Sequence, residues 1–314
     1  MGKIAFVFAG QGAQYQGMGL DLFENSIMAR EVFEILDQIR PDTSKQCFMA
    51  TKEELSITEN TQPCIFAVEM AAFKALEEKE IKPDVVAGFS LGEISALTVA
   101  DLFTLEEWFE FIMKRGAAMN KAAELKTGKM AAILRLDSKE IERICSLHDQ
   151  VWAVNYNCPG QTVISGLEDS VKSVIEECQK LGGKAILLSV SGAFHSPLME
   201  GASNKIKALL EDKTFNTPCF PIYSNVTGEI MEEDILKQRI SQQVKSPVLW
   251  SKTIESMRRD GVEVFVEIGP GKVLTGLIKK IYPQAITTNV EDMASLNQTV
   301  EIIKNYKAQN NRGQ

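Results

Sequence analysis

The stretch from Asp84 to Ala100 constrains the fold of this chain more than any other. Val85 to Phe89 is a short apolar run with the length and branching of a buried strand, and Leu91 to Ala100 has the composition of a helix. Ser90 therefore falls on the turn between them, flanked by Gly88 and Gly92 at G-x-S-x-G spacing. A strand that passes through such a turn directly into a helix leaves the serine oxygen exposed above the helix N-terminus. Glycine is needed on both sides, because a side chain there would collide with the opposing strand or helix. The pentapeptide alone says little, since roughly one chain of this length in ten contains it by chance. Its setting carries the argument.

Ile4 to Phe8 is a second continuous apolar run, the mark of a central parallel strand covered on both faces. It leads into Gly10, Gln11 and Gly12, but a dinucleotide-binding G-x-G-x-x-G would need glycine where Tyr15 stands. The loop is read either as a glycine-rich turn or as backbone that, with Gln11, faces a site at the C-terminal edge of the sheet. With 314 residues, 45% of them hydrophobic, the chain can bury a large domain or a large one with a smaller companion. A net charge of −8 argues against a broad nucleic-acid-binding face. No run approaches a membrane span, and the first residues lack the length and cleavage site of a signal peptide, so a cytoplasmic location is expected. The six scattered cysteines form no C-x-x-C pair and only two histidines are present, so no metal site is expected.

Along the chain, spacing predicts helices over 21–39 and from about Pro63 to Lys79, with Gln62 just ahead of the second as either a surface or a site residue. A helix over 104–123 carries Leu105, Trp108, Ile112 and Met119 on one stripe, with Arg115 at its border. An arginine there either reaches a structural carboxylate or captures the carboxylate of a substrate, for which the guanidinium fork is suited. From Lys129 to Ser189 the elements follow the order βαββαβ, the ferredoxin-like plan. This predicts an α/β protein: a hydrolase-like parallel-sheet domain over 1–127 and 192–307, an inserted ferredoxin-like α+β subdomain over 128–191, and a frayed tail over 308–314. His195 lies in a loop after a buried strand, between Gly192 and Pro197, where the chain re-enters the larger domain. It is a structural or a catalytic imidazole, while His148 beside Asp149 is read as structural. Phe220 to Asn225 and Val262 to Ile268 are read as further strands, and Pro247 to Trp250 as a buried corner.

Taken in order, eight stretches resemble the malonyl-CoA:acyl carrier protein transacylases of fatty-acid synthesis and the related acyltransferase domains of polyketide synthases. They are Phe8 to Gln14, Thr61 to Pro63, Gly88 to Glu93, Arg115-Gly116, Asn155 to Gln161, Gly192 to His195, Ser246 to Trp250, and Glu267 to Leu274. The resemblance implies that Ser90 is the nucleophile and His195 the base. It makes the backbone N–H groups of Gln11 and Leu91 the oxyanion hole and Arg115 the anchor for the malonate carboxylate. Gln62, Asn157 and Phe194 line the acyl pocket by the same analogy. Phe89 stands where many relatives have histidine, and Leu249 where many have Gln or Arg, although the Leu249 backbone carbonyl can still orient the base. The resemblance also implies malonyl-CoA as substrate, a phosphopantetheine-bearing acyl carrier protein as partner, no bound cofactor, and no nucleic-acid or membrane partner. A monomer is the simpler expectation.

Because acyl carrier proteins are acidic, a chain of net charge −8 needs a local basic surface, for which Lys114, Lys121, Lys126 and Lys129 are candidates. Three other activities fit the same scaffold. They are an acyl hydrolase or editing thioesterase with water as the second acceptor, a discrete acyltransferase loading polyketide carrier domains, and a non-catalytic carrier-binding protein.

Overall fold

A computed structural model of the chain describes residues 2–125, 127–190 and 192–311. The first part of the chain forms β1 (Lys3–Phe8), α1 (Leu20–Asn25), α2 (Ile27–Ile39), α3 (Thr43–Met49), α4 (Lys52–Leu55), α5 (Thr58–Glu77), β2 (Val85–Gly88), α6 (Leu91–Val99) and α7 (Leu105–Leu125). There follow β3 (Gly128–Leu134), α8 (Ser138–Cys145), β4 (Val151–Cys158), β5 (Gln161–Leu167), α9 (Glu168–Lys180) and β6 (Lys184–Leu187). The last part forms α10 (Glu200–Leu210), α11 (Leu236–Gln243), α12 (Trp250–Arg259), β7 (Val262–Ile268), α13 (Val273–Ile281), β8 (Ile286–Val290) and α14 (Met293–Asn311). The chain divides into two compact units.

The first unit takes in Met1–Ile112, Phe215–Tyr223 and Met257–Gln314. Its sheet has the order β2-β1-β7-β8 with every pair parallel. β1 lies inside it and buries every residue after Lys3, as its unbroken apolar run requires. The helix expected over 21–39 is two helices, because Ser26 leaves helical geometry and its hydroxyl caps α2 by accepting from the Ala29 amide at 3.1 Å. Such a cap is worth about 1 kcal/mol. α5 begins earlier than its apolar pattern suggests, and Pro63 lies inside it. The Ile57 carbonyl starts the helix by accepting the Asn60 and Thr61 amides, both at 2.8 Å. The strand expected over 220–225 is reduced to a bridge between Val86 and Ile222, beyond which the Ser224 amide donates to the Glu229 carbonyl at 2.8 Å. α14 runs to Asn311, into the stretch expected to fray, and residues 312–314, like Lys126, lie outside the described residues.

The second unit takes in Met113–Thr214 and Ser224–Ser256, and so extends beyond the inserted segment expected over 128–191. Its sheet has the order β4-β5-β3-β6, antiparallel throughout, which is the ferredoxin-like arrangement of a βαββαβ chain. One face packs against α8 and α9 through Ile133, Ile141, Ile144, Val151, Ile164 and Val174. Register shifts in β4, between Ala153 and Asn155 and again between Tyr156 and Cys158, interrupt its alternation. Beyond the first, Asn155 bridges to Val248, which pairs the loop before α12 with β4. The expected fold class, a parallel α/β sheet with a ferredoxin-like companion, is the one found.

Candidate active site

In the first unit the path from β2 to α6 is set by how closely backbones approach. A Cβ at Gly88 would lie 1.9 Å from the carbonyl of Gly92, and one at Gly92 would lie 2.2 Å from the Phe8 oxygen. The strand, turn and helix can pack only if both residues lack side chains. Ser90 between them has φ 54° and ψ −100°, a strained setting for an L-residue. The serine is half-buried and begins α6 without capping it through its side chain. Leu91 is the first residue of α6, so helix geometry gives its N–H no carbonyl within the helix and leaves it to face an anion.

The loop after β1 lies against this turn, since a Cβ at Gly10 would come within 2.7 Å of the Phe89 oxygen. Gln11 follows, its side-chain amide donating to Thr58 Oγ1 at 3.4 Å. Gln62 lies within α5 rather than ahead of it, and is buried. Beneath the site, Glu69 of α5 accepts from the Ser95 hydroxyl of α6 at 2.5 Å. Burial pushes its carboxyl well above the usual range, against which the Ser95 hydroxyl and Ala9 amide act in the opposite sense. Its hydrogen bond to Ser95 joins α5 to α6.

In the second unit His195 is buried and has φ 61°. Its amide donates to the Val244 carbonyl at 2.9 Å, and its Nδ1 lies 3.0 Å from the Gln243 carbonyl oxygen and 3.2 Å from that of Ser246. Carbonyls only accept, so Nδ1 carries the proton and the Nε2 lone pair is the basic one. Burial, and then the Arg115 charge, push the imidazole down from 6.5 to about 4, while the two carbonyls pull the other way. It is neutral at pH 7. Arg115 is buried on α7 and donates from Nη2 to the Gln243 side-chain oxygen at 2.8 Å. One residue, Gln243, therefore holds both: its backbone orients His195 and its side chain engages Arg115.

The Leu249 carbonyl is not the group that orients the histidine, contrary to expectation. It accepts from the Thr253 amide at 2.9 Å and hydroxyl at 3.1 Å, in the first turn of α12, which leaves the task to Gln243 and Ser246. Ser246 stands in one of the sequence stretches already singled out, whereas nothing in the local pattern marks Gln243. Phe194 is buried beside the histidine in the chain, and Asn157 is buried on β4 with Oδ1 lacking a hydrogen-bond partner. Ser90, Leu91, Gln11 and Gln62 thus belong to the first unit, and His195, Arg115, Asn157 and Phe194 to the second. Among the described residues no cluster of His, Cys, Asp and Glu has the arrangement of a metal site.

The acyl transferase domain family matches residues 5–312. A relative from Bacillus subtilis called malonyl CoA-acyl carrier protein transacylase is 37% identical over 97% of this chain and 98% of its own length. One of the same name from Haemophilus influenzae is 37% identical over 96% of this chain and all of its own. The crystal structure of the transacylase from Clostridium perfringens superposes with a TM-score of 0.94 at 37% identity, covering 98% of this chain and 99% of that one. A malonyl-transacylase solved in complex with a type II polyketide acyl-carrier protein superposes at 0.92 with 35% identity, covering 95% and 99%. The chain belongs to the acyl transferase family, in the group of the malonyl CoA-acyl carrier protein transacylases, and is an acyltransferase.

Proposed function

We propose that this enzyme moves a malonyl group from the thioester of coenzyme A to the phosphopantetheine thiol of an acyl carrier protein, through an ester on Ser90. The observation that carries the mechanism is the state of His195: neutral, with Nδ1 held by two carbonyls and Nε2 left basic. In the first half-reaction Nε2 takes the Ser90 proton while Oγ attacks the thioester carbonyl. The resulting oxyanion is held by the backbone N–H groups of Gln11 and Leu91. The carbon–sulfur bond breaks and coenzyme A leaves as its thiol, protonated by the imidazolium. In the second, the carrier thiol gives its proton to Nε2 and attacks the ester, and Ser90 recovers its proton. Kinetics are ping-pong. Both ends of the exchange are thioesters, so the energetics are nearly balanced and the site's task is to exclude water.

Arg115 pairs its guanidinium fork with the malonyl carboxylate, while Gln62, Asn157 and Phe194 line the acyl group. An acetyl group would leave the buried cation without its anion, which is the source of selectivity. No cofactor is required. Among the described residues no helix is long and apolar enough to cross a membrane.

Incubation with malonyl-CoA, read by intact mass, tests the reading. A malonyl adduct is expected on the wild type, absent from Ser90→Ala and discharged by holo carrier protein. Discharge only as free malonate would overturn transfer in favour of hydrolysis. Arg115→Ala is expected to lose its preference for malonyl over acetyl donors by about 100-fold in kcat/KM, the scale of a lost charged contact. An unchanged preference would remove Arg115 from the carboxylate site.

A further inference from the structure

We infer that the Gln243 side chain is a positioning residue for acyl selectivity: its amide oxygen fixes the Arg115 guanidinium and, being uncharged, leaves the arginine's charge to the carboxylate of the acyl group. The inference rests on the acyl-transfer reading above and names what aims its carboxylate anchor. Gln243 is the last residue of α11, on the buried face that also carries Leu236 and Ile240, at spacings of four and three residues. A polar side chain thus stands in a row of apolar positions, where it is only 1% exposed. Burial of that kind costs stability unless the group is hydrogen-bonded. The Gln243 oxygen accepts from Arg115 Nη2 at 2.8 Å. A guanidinium only donates, so the amide must turn its oxygen towards the arginine.

The seat of Gln243 is itself pinned to α10. The Ser203 hydroxyl of α10 donates to the Ser241 carbonyl at 2.7 Å, and Lys245 Nζ, just beyond α11, donates to Glu200 Oε2 at 2.6 Å. The Gln243 carbonyl is committed as well, lying 3.0 Å from His195 Nδ1. With the backbone held at this end of the helix, the side chain presents its oxygen to Arg115 from a fixed point. Arg143 shows what a carboxylate in the same role does. On the surface its fork closes on Glu140 through Nε at 3.0 Å and Nη2 at 2.7 Å. A glutamate at 243 would engage Arg115 in that way and compete with the acyl carboxylate for the guanidinium. Glutamine has nearly the same shape without the charge, so it orients the cation and does not neutralise it. A buried cation gains more from a carboxylate than from an amide, and that difference is left for the substrate to supply.

The test reads loading of Ser90 from malonyl-CoA and from acetyl-CoA by intact mass in single turnovers of the full chain. The variants are Gln243→Glu, Gln243→Ala, Arg115→Ala, and Arg115→Ala combined with Gln243→Ala. Gln243→Glu is expected to lower the ratio of malonyl to acetyl loading about 100-fold and Gln243→Ala about tenfold, the scales of a blocked and a loosened charged contact. A carboxylate contact is made alike in the ground and transition states. The loss in Gln243→Ala should therefore appear as a rise of about tenfold in the half-saturating malonyl-CoA concentration and not in the maximal rate. Once Arg115 is gone, removing Gln243 should change the ratio by no more than about twofold. Gln243→Ala decides the question alone if a buried glutamate prevents folding. A wild-type ratio in the Gln243 variants, while Arg115→Ala loses the preference, overturns this inference and leaves the anchor standing. A fall in maximal rate shared by both donors also overturns it, because the residue would then serve only through its carbonyl at His195. So does a further fall in the double variant. Full malonyl preference in Arg115→Ala overturns the anchor itself, and this inference with it.

Discussion

Ser90 carries backbone strain that only its position between β2 and α6 imposes, at φ 54° and ψ −100°. Alanine keeps that strain and glycine removes it, so Ser90→Gly is expected to be about 1 kcal/mol more stable than Ser90→Ala in urea unfolding, both being inactive. Equal midpoints would mean that the turn is unstrained. His195 makes a second prediction. Its imidazole is pushed down from 6.5 to about 4, so between those values the unfolded chain holds a proton at this residue that the folded chain does not. Its contribution to stability is complete above about pH 6.5 and is lost as the pH falls towards 4, a difference on the order of 3 kcal/mol. His195→Gln is expected to flatten the pH dependence of unfolding across that window, and an unaltered slope would show that the imidazole titrates normally in the fold. By the same displacement, the acid limb of kcat/KM should fall near 4 and not near 6.5.

Between elements, the closest constraint is where α6 crosses the end of β1. A Cβ at Gly92 would meet the Phe8 oxygen at 2.2 Å and the Ala9 oxygen at 2.5 Å, both backbone atoms that cannot rotate away. Gly92→Ala is therefore expected to cost about 3 kcal/mol or more and to lower kcat, because the helix bearing Ser90 must lift from the strand. Gly276 in α13 is the contrasting case, since a Cβ there meets nothing within 4 Å and its φ is not positive. Gly276→Ala is expected to stabilise by about 0.5–1 kcal/mol through helix propensity alone. Chemical denaturation of the pair checks both signs. Similar effects for the two would mean that close packing does not explain the elbow glycines.

For the whole molecule, the cysteines report on compactness. Among the described residues none of the six forms a disulfide, five are buried and Cys219 is exposed. A thiol reagent is expected to modify one cysteine per native chain quickly and six after unfolding, with Cys219→Ser removing the fast phase. More than one fast thiol would show that the buried sites open readily.

Much of this was legible in the sequence because local chemistry decides it. The apolar runs of β1 and β2, the glycines around Ser90 and the βαββαβ order each express a backbone requirement within a few residues. The placing of Ser90, His195 and Arg115 in turn, loop and helix follows from those patterns. Other features depend on segments far apart in the chain. The start of α5 is set by the Ile57 carbonyl and not by the apolar pattern that begins at Pro63, so Gln62 is inside a helix and buried. The carbonyls that orient His195 belong to Gln243 and Ser246, some fifty residues on, because Leu249 spends its own carbonyl on α12. Periodicity and turn chemistry act over a few residues and determine which elements form. Tertiary packing alone decided which distant carbonyl or amide each candidate side chain meets.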